Sequence, residues 1–66
     1  MNVLVNGELS DCEGCLTVAQ LIQRHGLSPE TTLVEHNGVA LRARDWAGCV
    51  LHENDRLEIL RVAAGG

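Results

Sequence analysis

Apolar residues fall along the chain in short blocks, each closed by residues that turn the backbone. Val3-Leu4-Val5 runs into Asn6-Gly7, the dipeptide best suited to the left-handed pair of dihedrals in a two-residue hairpin. A strand over residues 1–6 should therefore turn back into a second strand over 8–16, made irregular by Asp11 and Glu13-Gly14. At Leu16 the period changes. Thr17 and Gln20 form a capping box, and Leu16 and Leu21 occupy the two positions of a hydrophobic staple. Val18, Leu21 and Ile22 then recur at helical spacing, with Ala19 and Leu27 near the edge of the stripe. Arg24 and His25 sit where positive charge suits the helix dipole, and Gly26 supplies the stop. The pattern predicts a helix over 17–25 that buries one face.

Pro29 forbids continuation, and Thr31–His36 reads as a strand. Period two puts Val34 and His36 on one face and Leu33 and Glu35 on the other. Asn37-Gly38 is a second hairpin signal, leading into Val39-Ala40-Leu41. Asp45-Trp46-Ala47-Gly48 predicts a helical turn whose Trp46 plugs one end of the core. Glu53-Asn54-Asp55 predicts a tight turn with Asn54 left-handed. The last strand, 56–62, presents Leu57 and Ile59 to one side and Glu58, Leu60 and Val62 to the other. The order β-β-α-β-β-β predicts an α+β domain over 1–62, with one helix packed on one face of a mixed sheet of about five strands. The first and last strands are the most apolar, and placing them side by side in the middle of the sheet gives the β-grasp architecture. Leu60 and Val62 then lie on the uncovered face, where an apolar patch is a docking surface. Glu58 and Arg61 flank it and tune partner electrostatics.

Residues 63–66, Ala63-Ala64-Gly65-Gly66, form a thin tail expected to be flexible. Four extended residues reach roughly 13 Å, enough to place the Gly66 carboxylate inside another protein's active site.

A chain of 66 residues has room for one small core and no two-substrate cleft. Its net charge is -4, with nine acidic residues against five arginines and no lysine. That is the wrong sign for a phosphate-backbone binder, and with Trp46 the sole aromatic residue there is no base-stacking platform. The sequence contains neither a run of about 18 apolar residues nor a basic-then-apolar leader, so a cytoplasmic location without membrane contact is expected.

Three cysteines, an odd number, argue for reduced thiols rather than a disulfide framework. Cys12-Glu13-Gly14-Cys15 lacks the second paired motif of a zinc site, and only Cys49 with His25, His36 or His52 could complete one, so no metal is expected. Plant-type iron–sulfur ligation needs four cysteines. A thioredoxin-like pair would start at a helix N-terminus, whereas this helix begins after Cys15. Thiols without a role in the chemistry are the simplest reading. His36 is expected to be partly buried and hydrogen-bonded, His25 and His52 solvent-facing, and Arg42, Arg44 and Asp45 a solvated loop. No nucleophile–base geometry follows from the spacings.

Taken together, Val3-Leu4-Val5-Asn6-Gly7-Glu8, Thr17-Val18-Ala19-Gln20-Leu21-Ile22, Asn37-Gly38, Arg44-Asp45-Trp46, Asn54-Asp55-Arg56 and Gly65-Gly66 resemble the ThiS family, the small sulfur carriers of thiamin biosynthesis. Asn54, His36 and the Cys12–Cys15 segment depart from the family pattern, and none touches the tail. The resemblance implies a cosubstrate, not an enzyme. A ubiquitin-activating-like adenylyltransferase, using ATP and Mg, would convert the Gly66 carboxylate to an acyl-adenylate. Sulfur relayed from a cysteine desulfurase would then make a thiocarboxylate, and thiazole synthase would take the sulfur. The chain itself would bind no cofactor. Gly65 would thread the partner's channel, and Glu58, Leu60, Arg61, Val62, Ala63 and Ala64 would face the partner. The small subunit of molybdopterin synthase and a ubiquitin-like protein modifier are the alternative readings.

Overall fold

Both Asn-Gly dipeptides turn the chain as their chemistry requires in the computed structural model, which describes residues 1–63. Asn6 and Gly7 have φ of 51° and 83°, and Asn37 and Gly38 have 51° and 85°. Two successive left-handed residues make the tight hairpin whose twist matches its strands. The first turn joins β1 (Asn2–Val5) to β2 (Glu8–Asp11), and the second joins β3 (Thr32–His36) to β4 (Val39–Leu41). The last strand, β5 (Arg56–Arg61), lies between the hairpins, parallel to β1 and antiparallel to β3. The sheet order is β2-β1-β5-β3-β4, the mixed five-stranded arrangement of a β-grasp fold.

The helix α1 (Val18–Arg24) covers one face of this sheet. Its capping box is complete: Gln20 N–H donates to Thr17 Oγ1 at 3.3 Å, and Thr17 N–H donates to Gln20 Oε1 at 3.2 Å. Val18, Leu21 and Ile22 from the helix and Val3, Val34 and Leu57 from the sheet are the buried centre of the core. Trp46, on a 3-10 helix over Ala43–Gly48, and Leu51 close its end. The Trp46 indole N–H is buried and has no hydrogen-bond partner among the described residues.

Several boundaries differ from the sequence pattern. The second strand ends at Asp11, because Asp11 pairs with Asn2 at the start of β1 and the partner strand reaches no further. β5 ends at Arg61 rather than Val62. Leu16 does not act as a staple, being 65% exposed while Leu21 is 1% exposed. Its backbone instead accepts from Leu51 N–H at 2.9 Å. The expectation of reduced thiols is also corrected: Cys12 and Cys15 form a disulfide, their Cα atoms 5.5 Å apart across one turn. Counting cysteines missed this because a pair three residues apart needs only a local reversal, and Cys15 N–H donates to Cys12 O at 3.2 Å in that reversal. Of the tail expected at 63–66, only Ala63 lies within the described residues, and it is exposed.

Side-chain amides tie β5 to both hairpins. Asn6 Nδ2 donates to Ile59 O at 3.1 Å, and Ile59 N–H donates to Asn6 Oδ1 at 2.7 Å. The amide thus does for the parallel pair what another backbone peptide would do. On the other side Arg56 N–H donates to Asn37 Oδ1 at 2.8 Å, while Asn37 Nδ2 donates to Asp55 Oδ1 at 3.1 Å. Asp55 also accepts from His36 Nε2 at 2.7 Å and from His52 N–H at 2.9 Å. This nearly buried carboxylate therefore fixes the turn that feeds β5, with Asn54 left-handed at φ 68°.

Replacing Asn6 by Asp keeps a residue that tolerates the left-handed turn but sets a carboxylate against Ile59 O. The loss should be about 1–2 kcal/mol, read as a lower thermal midpoint, and an unchanged midpoint would show that the amide bridge contributes nothing. Burial acts to raise the Asp55 pKa, but the bonds from His36, His52 N–H and Asn37 outweigh it and hold the carboxyl below its usual value. A pKa lower in the folded than in the unfolded chain gives stability that is present above the unfolded value, about 3.9, and is lost as pH falls through the folded one. Chemical denaturation below about pH 4 should show this decline, and Asp55→Asn should flatten it. An identical acid limb in the variant would contradict the assignment.

Candidate functional site

The helix covers one face of the sheet, and the register decides what the other face presents. Leu60 pairs with Leu33, and Glu58 with Glu35, which in turn pairs with Ala40 on β4. Leu60 is 61% and Leu33 56% exposed, although both are large and apolar. A shallow groove of about 610 Å³ runs over this face, with Leu33, Glu35, Ala40, Glu58, Leu60 and Asn6 in its lining. Across β1 the face continues through Leu4 and the exposed Leu9, which oppose one another. Two carboxylates directly opposite on neighbouring strands repel, a cost of a few tenths of a kcal/mol or more. The site therefore combines an apolar stripe with two facing carboxylates, neither of them in a salt bridge among the described residues.

The expected partner-facing residues divide by face. Glu58 and Leu60 stand on the uncovered face, and Val62 continues past the end of β5, 39% exposed, its N–H donating to Thr31 O at 2.8 Å. Arg61 is exposed but opposes Thr32, whose side chain is buried on the helix side. Alternation thus puts Arg61 at the margin of the covered face and leaves Glu58 to flank the stripe. Ala64, Gly65 and Gly66 lie outside the described residues. Sequence reasoning put Leu33 and Glu35 together on one face of their strand but did not join them to Leu60 and Glu58. What joins them is the antiparallel register of β3 against β5, which no turn in the sequence sets.

Away from this face the disulfide removes Cys12 and Cys15 as ligands, and both are buried. Among the described residues no group of three or more His, Cys, Asp or Glu side chains could hold a metal ion, and no helix is long and apolar enough to cross a membrane. Arg42, Arg44 and Asp45 are exposed, as are His25 and His52. His36 is partly buried and bonded to Asp55, as expected. Its other ring nitrogen, Nδ1, lies 3.5 Å from Cys49 Sγ, a neighbour that no local sequence pattern announces.

Comparison with known proteins bears on the whole chain. The family model described as the ThiS family matches residues 3–66. No curated protein matches the sequence significantly. Among solved structures, the crystal structure of a thiamine biosynthesis protein (ThiS) from Geobacter metallireducens superposes with a TM-score of 0.82 at 30% identity, covering 100% of both chains. An NMR solution structure of a thiamine biosynthesis protein from the same organism gives a TM-score of 0.80 at 30% identity, covering 100% of this chain and 88% of that one. With its order of strands, its uncovered apolar face and a match running through Gly66, the chain belongs to the ThiS family of non-catalytic sulfur carriers.

Proposed function

We propose that this protein carries sulfur for thiamin thiazole biosynthesis as a thiocarboxylate on Gly66, at the end of the segment 63–66 that follows a domain over 1–62. The observation that carries the reading is the course of β5. The central strand bears the exposed Leu60 and Glu58 and runs directly, in sequence, toward the Gly65-Gly66 end. A carboxylate is a poor electrophile until its oxygen becomes part of a good leaving group. A ubiquitin-activating-like adenylyltransferase supplies that step with ATP and Mg, so the carrier needs no cofactor of its own. Attack on the α-phosphate by the Gly66 carboxylate releases pyrophosphate. Persulfide sulfur relayed from a cysteine desulfurase then displaces AMP, a thiol reductant cleaves the resulting acyl disulfide to the thiocarboxylate, and thiazole synthase consumes it. This reading carries a cytoplasmic location, where ATP and these partners meet.

The uncovered face gives the partner something to hold. Leu33 and Leu60 offer an apolar anchor, and the opposed Glu35 and Glu58 favour a basic side chain laid between them, which relieves their repulsion on binding. Gly65 suits a narrow channel because it has no Cβ, and Ala63 and Ala64 keep the approach thin. Pyrophosphate exchange by the activating enzyme measures the first chemical step. Deleting Gly66 moves the carboxylate back by about 3.5 Å and should abolish exchange without altering the fold, since productive attack tolerates far less displacement. Exchange by the deletion variant at the wild-type rate would refute the carrier reading. Gly65→Val should likewise collapse turnover with the carboxylate still present.

A separate variant isolates docking. Leu60→Glu should leave the melting temperature nearly unchanged, because the side chain is already 61% exposed. Binding to the activating enzyme should weaken about thirtyfold, as for loss of an anchor worth about 2 kcal/mol. A matching loss of thermal stability would assign Leu60 to the core instead.

A further inference from the structure

Cys49, His36 and Asp55 come together from three separate parts of the chain. Asp55 Oδ2 accepts from His36 Nε2 at 2.7 Å, and a carboxylate can only accept. Nε2 therefore carries a proton, and in the neutral ring Nδ1 offers a lone pair toward Cys49 Sγ at 3.5 Å. The result is a thiol, a base within reach of its proton and a carboxylate that fixes the base's tautomer and orientation, the three roles of an activated nucleophile. The thiol is held in place by its own backbone: Cys49 O accepts from Val18 N–H at 3.0 Å, and Cys49 N–H donates to Trp46 O at 3.3 Å. Both Cys49 and His36 are only partly buried, with 19% of the His36 side chain exposed, so a small reagent can reach them. His52, whose Nδ1 is 3.8 Å from Asp55 Oδ2, is the other titratable group at the cluster.

We propose that Cys49 is a sulfur-exchange site, its thiol attacking a divalent sulfur in a disulfide or persulfide with His36 as general base and Asp55 as positioning residue. The backbone N–H of Cys49 itself is already committed to Trp46 O. That arrangement disfavours acyl transfer, which builds an oxyanion needing such a donor. Substitution at sulfur builds none. The step balances without an oxidant. The proton of Cys49 Sγ passes to His36 Nδ1, Sγ bonds to the nearer sulfur and the old S–S bond breaks to release a thiolate, the imidazolium returning its proton to that thiolate when it is basic and to water when it is the weakly basic aromatic one. Burial and the Asp55 charge push the Cys49 thiol above its ordinary pKa. Free thiolate is therefore scarce at neutral pH, and the rate depends on the base. The inference does not depend on chemistry at Gly66.

Cys12 and Cys15 are paired and buried, so Cys49 is the free cysteine that a reagent reports. The test compares exchange at neutral pH between the native chain and an unstructured peptide of the Cys49 segment. An aromatic disulfide that releases a coloured thiolate and an alkyl persulfide serve as the two probes. Burial alone would make the native chain slower than the peptide, whereas base assistance should make it faster by about tenfold or more. His36→Gln should remove the acceleration, and Asp55→Asn should reduce it. Both variants are checked for folding by their melting curves, and loss of acceleration in a folded variant is an effect a purely structural role would not produce. If a variant fails to fold, the comparison of wild type with peptide decides alone. Acceleration with only one probe supports the proposal and names the sulfur class. Native exchange no faster than the peptide with either probe overturns it. The assay uses neither ATP nor the activating enzyme, so its failure would leave the reading of Gly66 standing.

Discussion

The parallel pairing of β1 with β5 is the constraint on which the rest of the molecule depends. Parallel neighbours cannot be joined by a tight turn, so the whole of the intervening chain must serve as the crossover, and its helix is brought onto the sheet by that necessity. The pair is short, with Leu4 opposite Arg56 and Val5 opposite Leu57. Backbone bonds from Leu4 N–H to Asp55 O and Asn6 N–H to Leu57 O, both 2.8 Å, carry it. The Asn6 amide extends it to Ile59. With Asn37 and Asp55 doing the same work on the β3 side, the last strand is fixed along both edges at the centre of the sheet. Val3 and Leu57, fully buried, fill the space beneath it.

This placement suits so small a chain, which has no room for a two-substrate cleft. On the proposed reading a carrier presents one atom near a surface that its partners grip, and a central strand is a rigid element from which to do so. On that reading the uncovered side of β5 and β3 supplies the grip. Its composition is unfavourable for an isolated protein, with exposed leucines and two facing carboxylates, and becomes favourable against an apolar and basic counter-surface.

What the sequence disclosed was chiefly local. Asn-Gly at two places fixed both hairpins, Thr17 with Gln20 fixed the helix start, and alternation in Thr32–His36 and Arg56–Arg61 fixed which side chains are covered. These signals lie within a few residues of what they specify. The central position of β5 followed from the apolarity of the end strands, a longer inference that the register confirms. The disulfide was misjudged because counting cysteines ignores the turn that brings Cys12 to Cys15. The contacts of His36 with Cys49 and Asp55 span 13 and 19 residues. They arise only when the Asn37 hairpin and the Asn54 turn bring three segments to one end of the sheet, and no local pattern encodes that. The joining of Leu33 and Glu35 to the partner-facing surface was hidden for the same reason, since it needs the register of β3 against β5.

The central claim is that sulfur travels on the terminal carbonyl of Gly66. Intact-mass measurement of the wild-type chain, before and after incubation with its activating enzyme, ATP, Mg and a sulfide source, tests it most directly. The account predicts a single mass increase equal to the replacement of one oxygen by one sulfur, localised by fragmentation to the last residue and absent when ATP is omitted. A sulfur addition found on Cys49 alone, or no ATP-dependent change at Gly66 with an activating enzyme shown to be competent, would contradict it.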